Sequence, residues 1–165
     1  MFAARIVDNS SKAETYREIA RQLEALLEGE HDPIANAANT AALLYHALAD
    51  LNWAGFYFLR DDRELVVGPF QGRPACVRIP VGHGVCGSAV LHRRSVLVAD
   101  VQEFPGHIAC DTASRSELVV PLISNDRILG VLDLDSPLAS RFDAEDQAGI
   151  ERMAAIYVAS SELSR

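Results

Sequence analysis

The chain has 165 residues, of which 49% are hydrophobic, and it carries a formal net charge of -8 at pH 7. This length and apolar content suffice for one folded core, so we expect a single domain over residues 1–165. The acidic balance argues against nucleic acid as a partner, because none of the 15 basic residues forms a long run. Residues 1–12 lack the apolar stretch of a secretory signal, and no window approaches the roughly 18 apolar residues of a membrane span. We therefore expect a cytoplasmic protein with no membrane segment.

Two helices are predicted in the N-terminal third. Ser11 and Glu14 match a capping box before apolar residues at helical spacing, and Gly29 supplies a stop. Asp32 and Pro33 then give an N-cap and a first-turn proline. The second helix is expected to bury one stripe of its surface, which consists of Ile34, Ala38, Ala41, Tyr45 and Leu48.

The rest of the chain predicts six strands and a closing helix. The strands are expected at 53–59, 64–68, 76–80, 95–99, 117–123 and 127–135, with a helical turn at 88–92. Turn-forming residues at 61–62 and 124–126 indicate two hairpins. Asp143 should cap a last helix that runs to about Leu163. Strands in hairpins with helices at both ends predict an α+β domain, in which about six antiparallel strands are flanked by the terminal helices.

All three cysteines, Cys76, Cys86 and Cys110, lie in segment 68–111, which is rich in glycine and proline. Such a segment is expected to be an ordered loop region shaped around a site. In a reducing compartment an odd number of cysteines indicates catalysis, redox chemistry or metal binding rather than a disulfide framework. Any one of them alone could instead be a small buried hydrophobe.

Six sequence motifs resemble the free methionine-R-sulfoxide reductases, a stand-alone branch of the GAF domain fold. They are NWAGFYFL, GPFQGRPAC, GHGVCGSAV, DVQEFPGHIACD, SRSELVVPL and GVLDLDSP. The resemblance implies a GAF-like fold and the reduction of free L-methionine-R-sulfoxide to methionine. It also implies that no cofactor is bound and that thioredoxin, with NADPH and thioredoxin reductase, returns the enzyme to its thiol form. A homodimer is an assembly state that the resemblance allows.

The same resemblance implies ranked roles for the cysteines. Cys110 would attack the substrate sulfur, Cys76 would be the main resolving thiol, and Cys86 would have a lesser or alternative resolving role. The chemistry is consistent with this, because a thiolate that takes the sulfoxide oxygen becomes a sulfenic acid, which a second thiol converts to a disulfide.

Glu117, Asp133 and Asp135 are the candidates for the proton donor. Asp133 and Asp135 lie two residues apart in one strand and should point to the same face, and Glu117 could join them from the paired strand. Like charges side by side raise a pKa, so one carboxyl group could hold a proton for the sulfoxide oxygen while another binds the substrate ammonium. The same charges would disfavour a Cys110 thiolate. In the alternative interpretation, these residues end a strand and face solvent.

Trp53 and Tyr57 should face the same side of their strand. They would form either an aromatic wall for the substrate methyl group or ordinary core packing, and the resemblance favours the wall.

Two other functions remain open at this level. His83 with Cys86, and His107 with Cys110, have spacings that could hold a zinc ion, although their glycine-rich settings lack a Cys-x-x-Cys knuckle and we expect no metal. A GAF-type sensor that binds a small molecule without turnover is the other alternative.

Overall fold

The computed structural model of the protein describes residues 11–106 and 112–163. Its elements are, in chain order, α1 (Lys12–Leu27), α2 (Pro33–Ala47), β1 (Trp53–Arg60), β2 (Glu64–Gly72), β3 (Arg78–Pro80), α3 (Gly84–His92), β4 (Val96–Val98), a 3-10 turn (Val101–Glu103), β5 (Ser116–Ser124), β6 (Arg127–Ser136) and α4 (Ala144–Ser160). The strands form one sheet in the order β3-β2-β1-β6-β5-β4, and every paired neighbour is antiparallel. The predicted α+β class with six antiparallel strands is confirmed.

The helix starts follow from their caps. Ser11 and Glu14 form the capping box at α1, where the Ser11 side chain accepts from the Glu14 amide and the Glu14 side chain accepts from the Ser11 amide. At α2, Asp32 Oδ1 accepts hydrogen bonds from the amides of Ile34 and Ala35. Asp143 caps α4 in the same manner. These side chains satisfy amides that would otherwise have no partner at a helix start.

The two faces of the sheet are covered differently. Alternate residues of β1, β5 and β6 point toward α1, α2 and α4, and they form a large core with those helices. The other face packs against α3 and the connections around it, in a second cluster that includes Trp53, Tyr57 and Cys86. The period-two alternation of the strands therefore separates a structural core from the face on which α3 lies.

The predicted buried stripe of α2 is right for Ala41 and Leu48, which are buried, and for Tyr45, which packs against the core, but it is wrong for Ile34 and Ala38. Ile34 is 56% exposed and Ala38 is also exposed, whereas the buried face contains Ala37, Leu43 and Leu44. An alanine-rich helix has a weak apolar pattern, so the adjacent pair of large leucines decides which side faces the sheet. On the buried side, Thr40 Oγ1 donates to the Asn36 carbonyl at 2.7 Å and Asn36 Nδ2 donates to the Ser160 carbonyl at 3.2 Å. Asn36 Oδ1 has no hydrogen-bond partner among the described residues.

Several element boundaries also differ from the prediction. Strand β2 continues through Gly68 and Pro69 to Gly72, and α3 begins at Gly84 rather than Ser88. The short strands β3 and β4 are three residues each, the 3-10 turn was not predicted, and α4 ends at Ser160 rather than near Leu163. Residues 68–106 are therefore less irregular than expected, and Cys86 lies in a helix rather than in a loop.

Within residues 11–106 and 112–163, no helix combines the length and the apolar character needed to cross a membrane.

Candidate active site

A pocket of about 540 Å³, open mouth included, lies between α3 and the sheet. Its walls come from β1, the connection between β2 and β3, the start of α3, and the strands β5 and β6. The lining residues are Trp53, Tyr57, Arg73, Pro74, Ala75, Ile79, Gly84, Val85, Cys86, Ser114, Glu117, Asp133 and Asp135.

The three predicted carboxyl groups meet in this pocket. In the β5–β6 ladder Glu117 is opposite Asp135, and Asp133 is opposite Val119. Glu117 is 6% exposed and Asp133 is 5% exposed, while Asp135 is partly buried. The alternative in which the aspartates face solvent is therefore wrong for Asp133.

The pKa values of Glu117 and Asp133 are raised well above their ordinary values. Burial is the main cause for both, followed for Glu117 by the charges of Asp133 and Asp135, and for Asp133 by the charge of Asp135. A carboxyl group in such surroundings favours its protonated form. Asp133 Oδ1 has no hydrogen-bond partner among the described residues, although it is fully buried. The cluster therefore has both a proton to donate and an oxygen free to accept.

Cys86 lies in the first turn of α3 with its sulfur against these acids. Its Sγ is 3.3 Å from Asp133 Oδ2 and 3.9 Å from Glu117 Oε1, and the side chain is buried. Burial first, and then the Asp133 and Glu117 charges, raise the thiol pKa well above its ordinary value. A thiol in this setting stays protonated and is a weak nucleophile. The sequence did not predict that Cys86 would be the cysteine beside the acids.

A glycine allows α3 to reach this position. A Cβ at Gly87 would overlap the carbonyl oxygen of Pro80 in β3, and the Gly82 amide donates to the Gly87 carbonyl at 2.9 Å. The close contact between backbones holds the first turn of α3, and with it Cys86, against the sheet.

Trp53 and Tyr57 form an aromatic wall of the pocket. The sequence predicted these two residues but not Phe70, which also belongs to the stack. Their ring centroids are 5.7 Å apart, and Phe70 of β2 stacks on the outer side of Trp53 at 5.3 Å. Both Trp53 and Tyr57 line the pocket and are also almost completely buried, so the wall is continuous with the second core cluster. Phe70 escaped the sequence analysis because the strand was expected to end at Gly68.

Cys76 borders the pocket from the segment between β2 and β3, and Tyr57 Oη donates to its carbonyl at 3.1 Å. Cys76 is disulfide-bonded, whereas Cys86 is a free thiol. Cys110 and His107 lie outside the described residues. The structure thus brings together seven of the eight candidate side chains around one cavity or at its edge.

Two further residues contribute, although the sequence gave them no role. Asn52 Nδ2 donates to Ser114 Oγ at 3.0 Å, and the Asn52 amide donates to the Asp135 carbonyl at 3.1 Å. Ser114 lines the pocket and is buried. The only sequence signal was that Asn52 opens the motif NWAGFYFL.

The pairing of His83 with Cys86 as zinc ligands is not what the described residues show. His83 is exposed and precedes α3, while Cys86 turns inward to Glu117 and Asp133.

The GAF domain family matches residues 35–159. The free methionine-R-sulfoxide reductase of Escherichia coli is 53% identical over 145 residues, which cover 88% of this chain and 87% of that protein. The enzyme of the same name from Saccharomyces cerevisiae is 41% identical over 153 residues, 88% of this chain and 85% of that protein. The chain belongs to the free methionine-R-sulfoxide reductase family.

One solved structure from this family is similar to the present structure over the whole chain. The free methionine-R-sulfoxide reductase of Neisseria meningitidis, in complex with its substrate, has a TM-score of 0.94 and 46% identity, and covers 100% of this chain and 98% of that one. The GAF-like fold and the family expected from the sequence motifs are therefore confirmed.

Proposed function

We propose that the protein reduces free L-methionine-R-sulfoxide to L-methionine. The observation that carries this is the buried cluster of Glu117 and Asp133 beside an aromatic wall, in a chain that belongs to a family of such reductases. A raised carboxyl pKa is what proton donation to a departing sulfoxide oxygen requires at neutral pH. Which carboxyl group donates is left open between Glu117, Asp133 and Asp135.

The remaining negative charge binds the ammonium group of the free amino acid. Asp133 lines the pocket and its buried Oδ1 has no hydrogen-bond partner among the described residues, which supports this role. The Trp53 and Tyr57 rings offer an apolar surface for the methyl group on the substrate sulfur. These two surfaces together select a small zwitterion with an apolar end.

In the proposed cycle the Cys110 thiolate attacks the substrate sulfur, and a carboxyl group protonates the sulfoxide oxygen. The resulting hydroxyl group moves from the substrate sulfur to the Cys110 sulfur as the bond between the two sulfur atoms breaks. The enzyme retains the oxygen as a Cys110 sulfenic acid, and methionine departs. The Cys76 thiol then displaces water from the sulfenic acid and forms a disulfide. Thioredoxin reduces this disulfide by exchange, with electrons from NADPH through thioredoxin reductase.

The state of the other two cysteines supports Cys76 as the resolving thiol. Cys76 is disulfide-bonded and lies at the pocket edge, whereas Cys86 is free, buried and has a raised pKa. A protonated thiol resolves a sulfenic acid slowly, so the alternative resolving role of Cys86 is secondary. A cycle that returns to free thiols suits a reducing compartment, and we place the protein in the cytoplasm.

The test is NADPH consumption coupled through thioredoxin reductase and thioredoxin, with purified free R-epimer as substrate. Wild type should turn over, and Cys110→Ser should lose activity. Cys76→Ser should complete about one stoichiometric turnover and then stop, because its sulfenic acid has no resolving thiol. The free S-epimer is the matched control substrate.

Two outcomes would contradict the proposal. Sustained activity in Cys110→Ser would remove Cys110 as the attacking group, and full multiple turnover in Cys76→Ser would move the resolving role to Cys86. Binding of the R-epimer without any turnover in wild type would favour the sensor alternative. Mass spectrometry after one equivalent of substrate identifies the disulfide pair directly.

A further inference from the structure

Three ligand atoms of different residues converge at the base of the pocket. Cys86 Sγ, one Glu117 carboxylate oxygen and one Asp133 carboxylate oxygen all lie within 4.8 Å of one another, and all three residues are buried. They come from α3, β5 and β6, so the backbone of three packed elements fixes their relative positions. This differs from an acidic surface patch, whose side chains move independently.

The two separations between the Cys86 sulfur and the carboxylate oxygens are close to those of a tetrahedral metal centre. With zinc–sulfur bonds of about 2.3 Å and zinc–oxygen bonds of about 2.1 Å, tetrahedral geometry separates sulfur from oxygen by about 3.6 Å. The observed separations from Cys86 Sγ are 3.3 Å to Asp133 and 3.9 Å to Glu117. A cation could therefore enter after small side-chain rotations, without a shift of the backbone.

A second observation points to a missing cationic partner. Asp133 is 5% exposed and its Oδ1 has no hydrogen-bond partner among the described residues. A buried carboxylate oxygen without a partner is costly, and a cation that binds both oxygens of Asp133 would satisfy it.

We propose that Cys86, Glu117 and Asp133 form a binding site for a thiophilic divalent cation, Zn²⁺ or Cd²⁺, which occupies the pocket and excludes the substrate. The cation displaces the proton of the Cys86 thiol, as metal binding to a thiol generally does, so its affinity increases with pH. It is an inhibitor rather than a cofactor, since it takes up the same carboxyl groups that the proposed function needs. The exclusion of substrate rests on that proposed function, whereas the metal site does not.

The decisive variant is Cys76→Ser/Cys110→Ser, in which Cys86 is the only cysteine left of the three. Titration of this protein with Cd²⁺ should give one equivalent of bound metal and a thiolate-to-cadmium charge-transfer band in the ultraviolet. Adding Glu117→Gln and Asp133→Asn should weaken binding by more than roughly 100-fold, because even loss of an outer-shell partner costs about 10–100-fold in metal affinity. An exposed pair, Asp62→Asn and Glu28→Gln, is the matched control for the loss of two charges.

The result that would overturn the site is equal Cd²⁺ affinity with and without the two acids, which would mean ordinary binding to a single thiol. X-ray absorption at the zinc edge of the Cys76→Ser/Cys110→Ser protein gives a test that needs no further substitution. One sulfur and two or more oxygens are expected around Zn²⁺, and a shell without sulfur would overturn the site. Circular dichroism of every variant checks the fold.

Competition is measured in the same variant, which cannot turn over. An excess of free methionine-R-sulfoxide should raise the apparent dissociation constant of Cd²⁺ in proportion to its concentration. Suppose that the metal binds and that wild type is active. If methionine-R-sulfoxide then does not compete with the metal, the proposal that the metal excludes the substrate is wrong. If the metal binds and wild type is inactive, the proposed function is wrong and the metal site stands.

Discussion

At the scale of single residues, the surroundings of Cys76 and Cys86 distinguish the roles of these two cysteines, which the sequence alone could not do. Cys86 lies against two buried carboxyl groups that raise its pKa, while Cys76 lies at the pocket edge in a disulfide. The motifs around these cysteines both contain several glycines, so composition alone assigned them the same loop setting. The difference comes from packing against Glu117 and Asp133, which are 31 and 47 residues away from Cys86 along the chain.

The raised pKa of Glu117 predicts a specific pH dependence of stability. The ordinary pKa is 4.5, and burial together with the Asp133 charge raises it in the folded protein. The folded state then holds a proton that the unfolded state releases, so this contribution to stability is complete below about pH 4.5 and is lost as the pH rises toward the folded pKa. In this window the free energy of unfolding falls by up to about 1.4 kcal/mol per pH unit.

Glu117→Gln should remove this fall in the free energy of unfolding with rising pH. Its stability relative to wild type is expected to increase as the pH rises from about pH 4.5 toward the raised pKa of Glu117, measured by urea unfolding at several pH values. Glu28→Gln, at an exposed position on the surface, is the matched control for removal of one charge. The same pH dependence in both variants would contradict the raised pKa.

At the scale of elements, the contact between α1 and α4 shows how two terminal helices are fixed to each other. Tyr16 of α1 donates from its hydroxyl to Asp146 of α4 at 2.8 Å, and Lys12 and Arg141 also contact the Asp146 carboxylate. Asp146 is 1% exposed, so its charge is compensated within the protein. Above this network the Tyr16 ring packs directly on Gly149.

Gly149→Ala should destabilise the protein by about 1–2 kcal/mol. Alanine favours a helix over glycine by about 1 kcal/mol, but overpacking a core typically costs about 1–3 kcal/mol. The new Cβ would overlap the Tyr16 ring, which cannot swing away while Asp146 holds its hydroxyl. Urea unfolding measures the change.

A double-mutant cycle isolates the overlap. In a Tyr16→Ala background the ring is absent, so Gly149→Ala should there stabilise the protein by about 1 kcal/mol. If Gly149→Ala stabilised the protein in both backgrounds, the close contact would not limit the packing of α1 on α4.

At the scale of the whole molecule, the sheet separates the larger hydrophobic core on one face from the candidate active site on the other. The face toward α1, α2 and α4 carries the larger core, and the face toward α3 carries the pocket. The pocket collects side chains from residue 53 to residue 135, so no short stretch of the chain forms it. A link between distant segments on this face should therefore affect the stability of the whole protein.

The proposed disulfide between Cys76 and Cys110 would be such a link, across 34 residues of chain (110 − 76). Loop-closure entropy predicts about 4 kcal/mol of stabilisation for a loop of this length. Oxidised wild type should therefore unfold at a higher urea concentration than reduced wild type, and reduced wild type should resemble Cys76→Ser. Equal midpoints for oxidised wild type and Cys76→Ser would contradict the prediction.

The sequence by itself determined the helix caps, the hairpins, the approximate positions of the strands, and the fact that Asp133 and Asp135 lie on the same face of their strand. These are local properties, because a cap depends on residues three apart and a strand face depends on residues two apart. The motifs also determined the family. The sequence did not determine the buried face of α2, the start of α3 or the extension of β2 to Gly72, because each depends on what packs against it.

Only the tertiary structure placed Cys86 beside the acids, Phe70 behind Trp53 and Asn52 against Ser114. These contacts join strands, a helix and a connection that are far apart in the chain. The raised pKa values of Cys86, Glu117 and Asp133 follow mainly from burial, which no pattern of neighbours in the sequence specifies. The sequence therefore supplied the reactive groups, and the sheet with α3 decided which of them share one low-dielectric pocket.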